Sequence, residues 1–448
     1  MALFSVGKSN TEIRDVYTTI MRKILVAAWM VFSTISCHQS TVAERESAAE
    51  RVKEAITQEL VQIHQRGYIN GFSVAIVNEN QLLYATGIGY GNSKTREPYT
   101  EQTIQNIGSI SKTLIGIALL KAQEMGKLKM DDPINSYLPY AVNNPWFPEI
   151  PITIRHLATH TSTMLDSYRY FNQSYVLAQD ESSSDSMVYR ALRNHGVTFN
   201  PAAAKIAPED FLRKMLVPGE ENYGLENFSK YRPGERFEYS NVGATLAAVI
   251  LEQAVGQSFD EFTTGHILMP LKMDASGWSF DAVSMEHHSR LYLEPELELP
   301  LYSLITYPEG GLLTNIHDLG TYLAELIRGY NGEGLILSRD SYQELFRAQL
   351  TGDNFAERPS DNPYGDDYNY GIFMGFTPTG YIGHSGLEPG VSTYMFFNPK
   401  SNTGRVLITN TNFLTSVEGA EEFDAIWNVL GKYEHQLNQL LYRPKEGY

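Results

Sequence analysis

The 448-residue chain has one cysteine, Cys37, and no uninterrupted apolar run long enough to cross a bilayer. A single cysteine excludes an internal disulfide and a cysteine-based zinc site. Basic residues are scarce: 35 Lys+Arg against 52 Asp+Glu leave a formal charge of −17. A phosphate-binding surface needs clustered Lys and Arg to displace counterions, so nucleic acid is not an expected partner. The acidic balance itself reads as a solvated surface. With 35 Gly and 20 Pro the chain is neither collagen-like nor low in complexity. What remains is ordinary globular material, 42% hydrophobic and 19% charged. At roughly 150 residues per domain it is enough for two or three lobes around a large core.

Met21-Arg22-Lys23 precedes an uncharged, mostly apolar stretch from Ile24 to Ser36. A basic start, a short apolar stretch and small residues have the form of a secretory signal. The stretch falls short of the ~20 apolar residues of a membrane span. It also lacks the amphipathic period of a core helix. Residues 1–36 are therefore expected to be a leader, with translation starting at Met21. Cys37 stands where the run ends, after Ile35 and Ser36, as the lipid-attachment cysteine of bacterial lipoproteins does. Thr34 departs from the leucine usual three residues upstream, and an incidental cysteine is the alternative reading. The expectation is an exported protein, periplasmic or tethered to the membrane through a multiply acylated Cys37. Residues 37–47 read as a polar tether.

Beyond the tether, Val52, Ile56, Leu60 and Ile63 recur at helical spacing within residues 48–65. Phe72 to Val77 and Gln81 to Thr86 read as strands joined by a polar turn. A second helical pattern runs from Ser109 to Gly126. Helical segments and loops fill about 130–350, including the very polar run Asp180 to Ser186, and residues 350–370 read as loop. Late strand patterns cover Tyr370 to Gly375, Val391 to Asn398 and Arg405 to Asn410. A helix carrying Phe423, Ile426, Trp427 and Leu430 follows. No internal repeat is present. Strands and helices at both ends around a helical middle imply an α+β, two-lobed protein. An antiparallel sheet built from both termini and flanked by the terminal helices would stand beside a mostly helical lobe at about 130–350. The expected catalytic domain spans 48–433, with a tail at 434–448 and a ligand cleft between the lobes.

Three short motifs could carry chemistry. In Gly108-Ser109-Ile110-Ser111-Lys112, Ser109 and Lys112 share a helix face. The helix N-terminus favours a developing oxyanion, and a partly desolvated lysine could lose its proton and activate the hydroxyl. About one Ser-x-x-Lys is expected by chance in a chain this long, and Ser5 with Lys8 is such a case. Taken alone, Ser109 reads as an N-cap or first-turn residue. Tyr239-Ser240-Asn241 offers a phenol that neighbouring cations could depress into a base, and an amide that could hold a substrate. Tyr-x-Asn recurs at Tyr68–Asn70 and Tyr170–Asn172, so it too is unspecific. His384-Ser385-Gly386 occurs once. Its glycine permits close approach of a substrate backbone, and its imidazole offers charge or a hydrogen bond to an anionic group.

Together and in this order the motifs resemble the penicillin-recognising serine hydrolases: class C β-lactamases, D-Ala-D-Ala carboxypeptidases and related esterases. Tyr-Ser-Asn stands where other members have Ser-Asp-Asn, and His-Ser-Gly where others have Lys-Thr-Gly. The resemblance covers about residues 50–430. It extends to the segment Thr153 to Ser162, to Glu309-Gly310-Gly311-Leu312 and to Pro389-Gly390-Val391-Ser392-Thr393. The stretch from Ser162 to Tyr239 is longer than usual in the family, and Leu387 stands where relatives often have Gly, Thr or Ser. His156, His160 and Glu309 read as structural or cleft-lining.

The resemblance implies a serine β-lactamase/transpeptidase-like fold and an acyl-enzyme on Ser109. Lys112 and Tyr239 would move the proton, and the N–H groups of Ser109 and Leu387 would hold the oxyanion. Asn241, His384, Ser385 and Gly386 would bind substrate, with His384 meeting a carboxylate or polarising the site. No metal or organic cofactor is implied. The substrate would be a β-lactam, a peptidoglycan stem peptide or an ester, so an esterase of the same fold stays open, as does a covalent penicillin sensor with little turnover. Rival motifs fail. Gly383 to Leu387 lacks the last glycine of a Gly-x-Ser-x-Gly elbow, and Gly7-Lys8-Ser9 lacks the upstream glycine of a phosphate loop. His287-His288 has no metal-ligand spacing.

Overall fold

Both ends of the chain contribute strands to one sheet. The structure is a computed structural model that describes residues 44–179, 187–356, 358, 366–412 and 416–442. The leader, Cys37 and the polar run 180–186 lie outside the described residues. The eight-stranded sheet runs in the order Asn369–Tyr370, Gly375–Phe376, Ile382–Glu388, Val391–Asn398, Thr403–Thr409, Gly71–Asn78, Leu82–Asn92, Glu97–Pro98, and its pairings are antiparallel. Phe72 pairs with Thr409 and Val77 with Gly404, which zips the first long strand against the last. Every residue of Gly71–Asn78 is buried, as its near-continuous apolar sequence requires of a strand covered on both faces.

Alternation along Val391–Asn398 separates the two coverings. Tyr394 and Phe396 meet Trp427 of the helix Val417–Leu441, with ring centroids 5.3 and 6.3 Å away. Met395 and Phe397 turn to the other side, into the core shared with Leu319 and Leu323 of the helix Ile316–Tyr330. Asn315 caps that helix by accepting from the Asp318 amide. It packs on strands Gly71–Asn78 and Thr403–Thr409, and a Cβ on Gly404 would stand 2.7 Å from Leu323.

The mixed α+β character is as expected, but several boundaries move. Ile316–Tyr330 was expected in a helical lobe reaching 350. It covers the sheet, with Leu319 and Leu323 of its apolar face buried in the core there. Residues Ile56–Asn438 form one compact unit. The middle also holds strands, Tyr175–Leu177, Phe199–Asn200 and Tyr302–Leu304, joined by Tyr302, which stacks on Phe199 and meets Tyr175 edge-to-face. The expected strand Tyr370 to Gly375 is two short strands with a bend between them, where Phe373 has φ +49°. The tether expected to end at 47 is helical from residue 44.

The tail expected from 434 is helix to Leu441. Glu434 is buried there with its carboxylate 3.0 Å from Arg405, whose guanidinium lies over Trp427. A charge buried between helix and sheet needs that partner, so the helix runs on. Of the described residues, 44–55 and 439–442 belong to a second, small unit, in which Arg45 donates to the Gln439 carbonyl at 2.6 Å. Among the described residues no single helix is long and apolar enough to cross a membrane.

Candidate active site

Ser109 lies on a 3-10 turn, Gly108–Ser111, that leads into the α-helix Lys112–Glu124. The α-helix expected from Ser109 onward therefore starts three residues later. The tighter turn matters, because at three residues per turn positions i and i+3 eclipse. Lys112 Nζ accordingly donates to Ser109 Oγ at 2.8 Å. The same nitrogen donates to the Glu309 carbonyl at 2.8 Å and to Glu309 Oε2 at 2.7 Å. Neither the Lys112 nor the Glu309 side chain is exposed to solvent. Tyr170 and Thr306 hydroxyls donate to the other carboxylate oxygen.

Tyr239 sits across from this pair. Lys112 Nζ is 5.1 Å from its ring centre, and His160 stacks on the ring at 4.3 Å. His160, at φ +54°, accepts from the Ser240 amide through Nδ1 at 3.1 Å, and its carbonyl accepts from the Glu238 amide. In this way the segment Thr153 to Ser162 holds the tyrosine in place. The Tyr239 hydroxyl is buried and interacts with the Ser109 side chain. Burial, with the Asp366, Glu309 and Asp166 carboxylates, drives its pKa well above the usual tyrosine value, against the opposing hydrogen bond with Ser109. The expected depression by neighbouring cations is corrected: although Lys112 Nζ lies 5.1 Å from the ring, burial and the carboxylates set the direction. Burial first, then Lys112 and His384, hold His160 well below an ordinary histidine.

Asn241 opens the buried helix Asn241–Val255, capped by Ser240 Oγ on the Gly243 amide. Asp166 accepts from the Asn241 and Val242 amides at 2.8 and 3.0 Å, an anion at a helix N-terminus. Burial outweighs both hydrogen bonds and pushes this carboxyl up to about 6. The Asn241 side-chain oxygen is buried without a partner, which leaves it available to a ligand donor.

The third motif lies on the strand Ile382–Glu388. Residues beyond Gly383 have a neighbour only on the Val391–Asn398 side, so the other edge faces the Ser109 turn. A Cβ on Gly386 would stand 2.1 Å from the Ile107 carbonyl oxygen. Thr393 Oγ1 donates to that same oxygen at 2.8 Å. The Leu387 side chain points outward, half exposed. His384 is buried, with Nδ1 2.6 Å from the Ser385 carbonyl oxygen and Nε2 3.4 Å from the Tyr370 hydroxyl. Burial first, and Lys112 after it, lower its pKa to about 4 despite the Ser385 carbonyl and Asp367. The imidazole is neutral at pH 7, so the expected positive charge for a substrate carboxylate is absent. Ser385 Oγ donates to Asp366 at 3.3 Å.

The structure thus brings Ser109, Lys112, Tyr239, Asn241, His384, Ser385, Gly386 and Leu387 into one neighbourhood. Asp166, Asp366 and Tyr170 escaped the sequence reading, and Glu309 was read only as structural or cleft-lining. Its bond to Lys112 joins residues 197 apart in the chain, a separation that no local pattern encodes.

The model of the family described as Beta-lactamase matches residues 54–426. Protein flp of Staphylococcus aureus (strain MW2) is 23% identical over 393 residues, which cover 84% of this chain and 68% of that protein. The octameric penicillin-binding protein homologue from Pyrococcus abyssi superposes with a TM-score of 0.63 at 23% identity, covering 88% of this chain and 79% of that one. D-amino acid amidase from Ochrobactrum anthropi SV3 gives 0.60 at 19% identity, covering 85% and 99%. At such identities the superpositions establish the β-lactamase/transpeptidase-like fold. The match of the family model over most of its length shows that the chain belongs to the Beta-lactamase family.

Proposed function

We propose that the protein is a serine hydrolase that acts through an acyl-enzyme on an amide, lactam or ester bond, as a D-Ala-D-Ala carboxypeptidase or β-lactamase does. The observation that carries this reading is the 2.8 Å bond between Lys112 Nζ and Ser109 Oγ beneath the Tyr239 hydroxyl, a nucleophile beside a nitrogen that can pass its proton on. Ser109 Oγ attacks the carbonyl carbon and its proton leaves through Lys112. The amides of Ser109 and Leu387 hold the oxyanion, worth about 3 kcal/mol per donor. Tyr239, a phenol in the resting site, protonates the leaving group, and water then releases the acyl group. Asn241 orients the acyl side chain. The leader pattern and Cys37 support an exported enzyme with a lipid tether.

The neutral His384 favours a second substrate class. With no cation at that position, an ester or amide lacking the carboxylate of a penicillin suits the site better. The test is intact-protein mass spectrometry after mixing with a penicillin, and in parallel with a p-nitrophenyl ester. An adduct on Ser109 that is absent from Ser109→Ala supports the mechanism. A brief penicillin adduct indicates a β-lactamase, and a persistent one a carboxypeptidase or sensor. Modification by the ester alone selects the esterase reading. Wild-type turnover in Ser109→Ala would discard the assignment.

A further inference from the structure

A buried carboxylate bonded to the nitrogen that serves the nucleophile has a chemical consequence. Lys112 Nζ stands between two oxygens at nearly equal distances, Ser109 Oγ at 2.8 Å and Glu309 Oε2 at 2.7 Å, and the Glu309 carbonyl takes a third bond. An ammonium held this way has no lone pair for the serine proton. It can accept that proton only by passing one of its own onward, and Oε2 is the acceptor in line. We infer that Glu309 is the proton store for Ser109, reached through Lys112, so that the working unit is Ser109–Lys112–Glu309. The inference rests on the acyl-enzyme reading above.

The step balances without any further reactant. As Oγ bonds to the carbonyl carbon, the Oγ proton goes to Nζ, a different Nζ proton goes to Oε2, and the carbonyl π pair moves onto its oxygen. When the tetrahedral intermediate collapses, the bond to the leaving group breaks and that group takes the Tyr239 proton. Tyr239 is refilled from Nζ and Nζ from Glu309, which restores the resting pair.

The surroundings of Glu309 suit a carboxyl that alternates between charged and neutral. Tyr170 and Thr306 hydroxyls serve Oε1 and stabilise the anion. Glu388, held by Tyr175 at 2.8 Å, and Asp166 share this buried neighbourhood, with the Tyr175 and Tyr239 hydroxyls. A Cβ on Gly310 would come within 2.6 Å of Glu388 Oε1, so Glu388 adjoins the Glu309 segment. Solvent exclusion keeps the transferred proton within the unit.

The experiment is pre-steady-state acylation of the full chain by p-nitrophenyl acetate, whose leaving group needs no proton, in wild type, Glu309→Gln and Glu309→Ala. Glu309→Gln keeps a hydrogen-bonding group but no basic oxygen. It should acylate about 10²-fold more slowly at neutral pH, the scale of a lost general base. Its acid limb should also move to higher pH, because activity then requires a neutral Lys112. Formate should restore acylation to Glu309→Ala in proportion to its concentration, whereas methanol should not.

A folded Glu309→Gln that acylates as fast as wild type or faster would show that the carboxylate only anchors or restrains Lys112, and overturns the inference. If Glu309→Gln does not fold, Glu309→Ala with formate decides, and absence of rescue overturns it. Both failures leave the acyl-enzyme reading standing, provided wild type is modified at Ser109. A wild-type chain never modified there removes both.

Discussion

A Cβ placed on Gly108 would stand 2.8 Å from the backbone nitrogen of Leu387. The residue before the nucleophile and the edge of the strand Ile382–Glu388 therefore meet backbone to backbone, and only a glycine at φ +57° allows it. Gly108→Ala should cost about 1–2 kcal/mol of backbone strain and push the Leu387 amide away from Ser109. The expected outcome is a kcat/KM lower by roughly the 10²-fold or more of a lost oxyanion donor, with a modest fall in Tm. Wild-type kinetics in this variant would show that the Leu387 amide is not an oxyanion donor.

Tyr239→Phe should separate stability from activity. The hydroxyl it removes is buried and its polar interaction is with Ser109, so its loss forfeits one poorly aligned hydrogen bond, offset by no longer burying a polar group, a balance within about 1 kcal/mol. Tm should stay close to that of wild type. Turnover of amide or lactam substrates should fall by about 10²–10⁴, the range of a lost general acid. Burst acylation by p-nitrophenyl esters should suffer less. A variant that loses Tm and keeps turnover would contradict both halves.

His384 makes the fold sensitive to acid. Its pKa is about 4 in the folded chain against 6.5 ordinarily, so the folded state holds the neutral ring more strongly than the unfolded state does. The stability this contributes is complete above about 6.5 and is lost as pH falls through the interval down to about 4. His384→Gln should remove that step, so thermal melts from pH 7.5 to 4 should show wild type losing more Tm than the variant. Parallel curves would mean that the imidazole is not neutralised by folding.

Much of the molecule was legible in the sequence because its cues are local. The strand Val391–Asn398 matches its hydrophobic pattern residue for residue, and the helix around Trp427 follows from its apolar spacing. Motif order pointed to Ser109, Lys112 and Tyr239. Errors arose where a distant partner set the outcome. The C-terminal helix passes 433 because Arg405 needs Glu434. Ile316–Tyr330 lies on the sheet because its apolar face fits there, and no local signal marks one covering surface over another.

The residue types of the site, their order and their helix or strand setting came from the chain itself, since side-chain identity and short-range periodicity are written in it. Their protonation was decided only by tertiary structure. Whether Tyr239 is base or acid, whether His384 carries charge and what Lys112 is bonded to depend on burial and on Glu309, Asp166 and Asp366, all distant in sequence. Charge stabilisation inside a protein is set by the local dielectric and by neighbours within a few ångströms, and both exist only once the chain has folded.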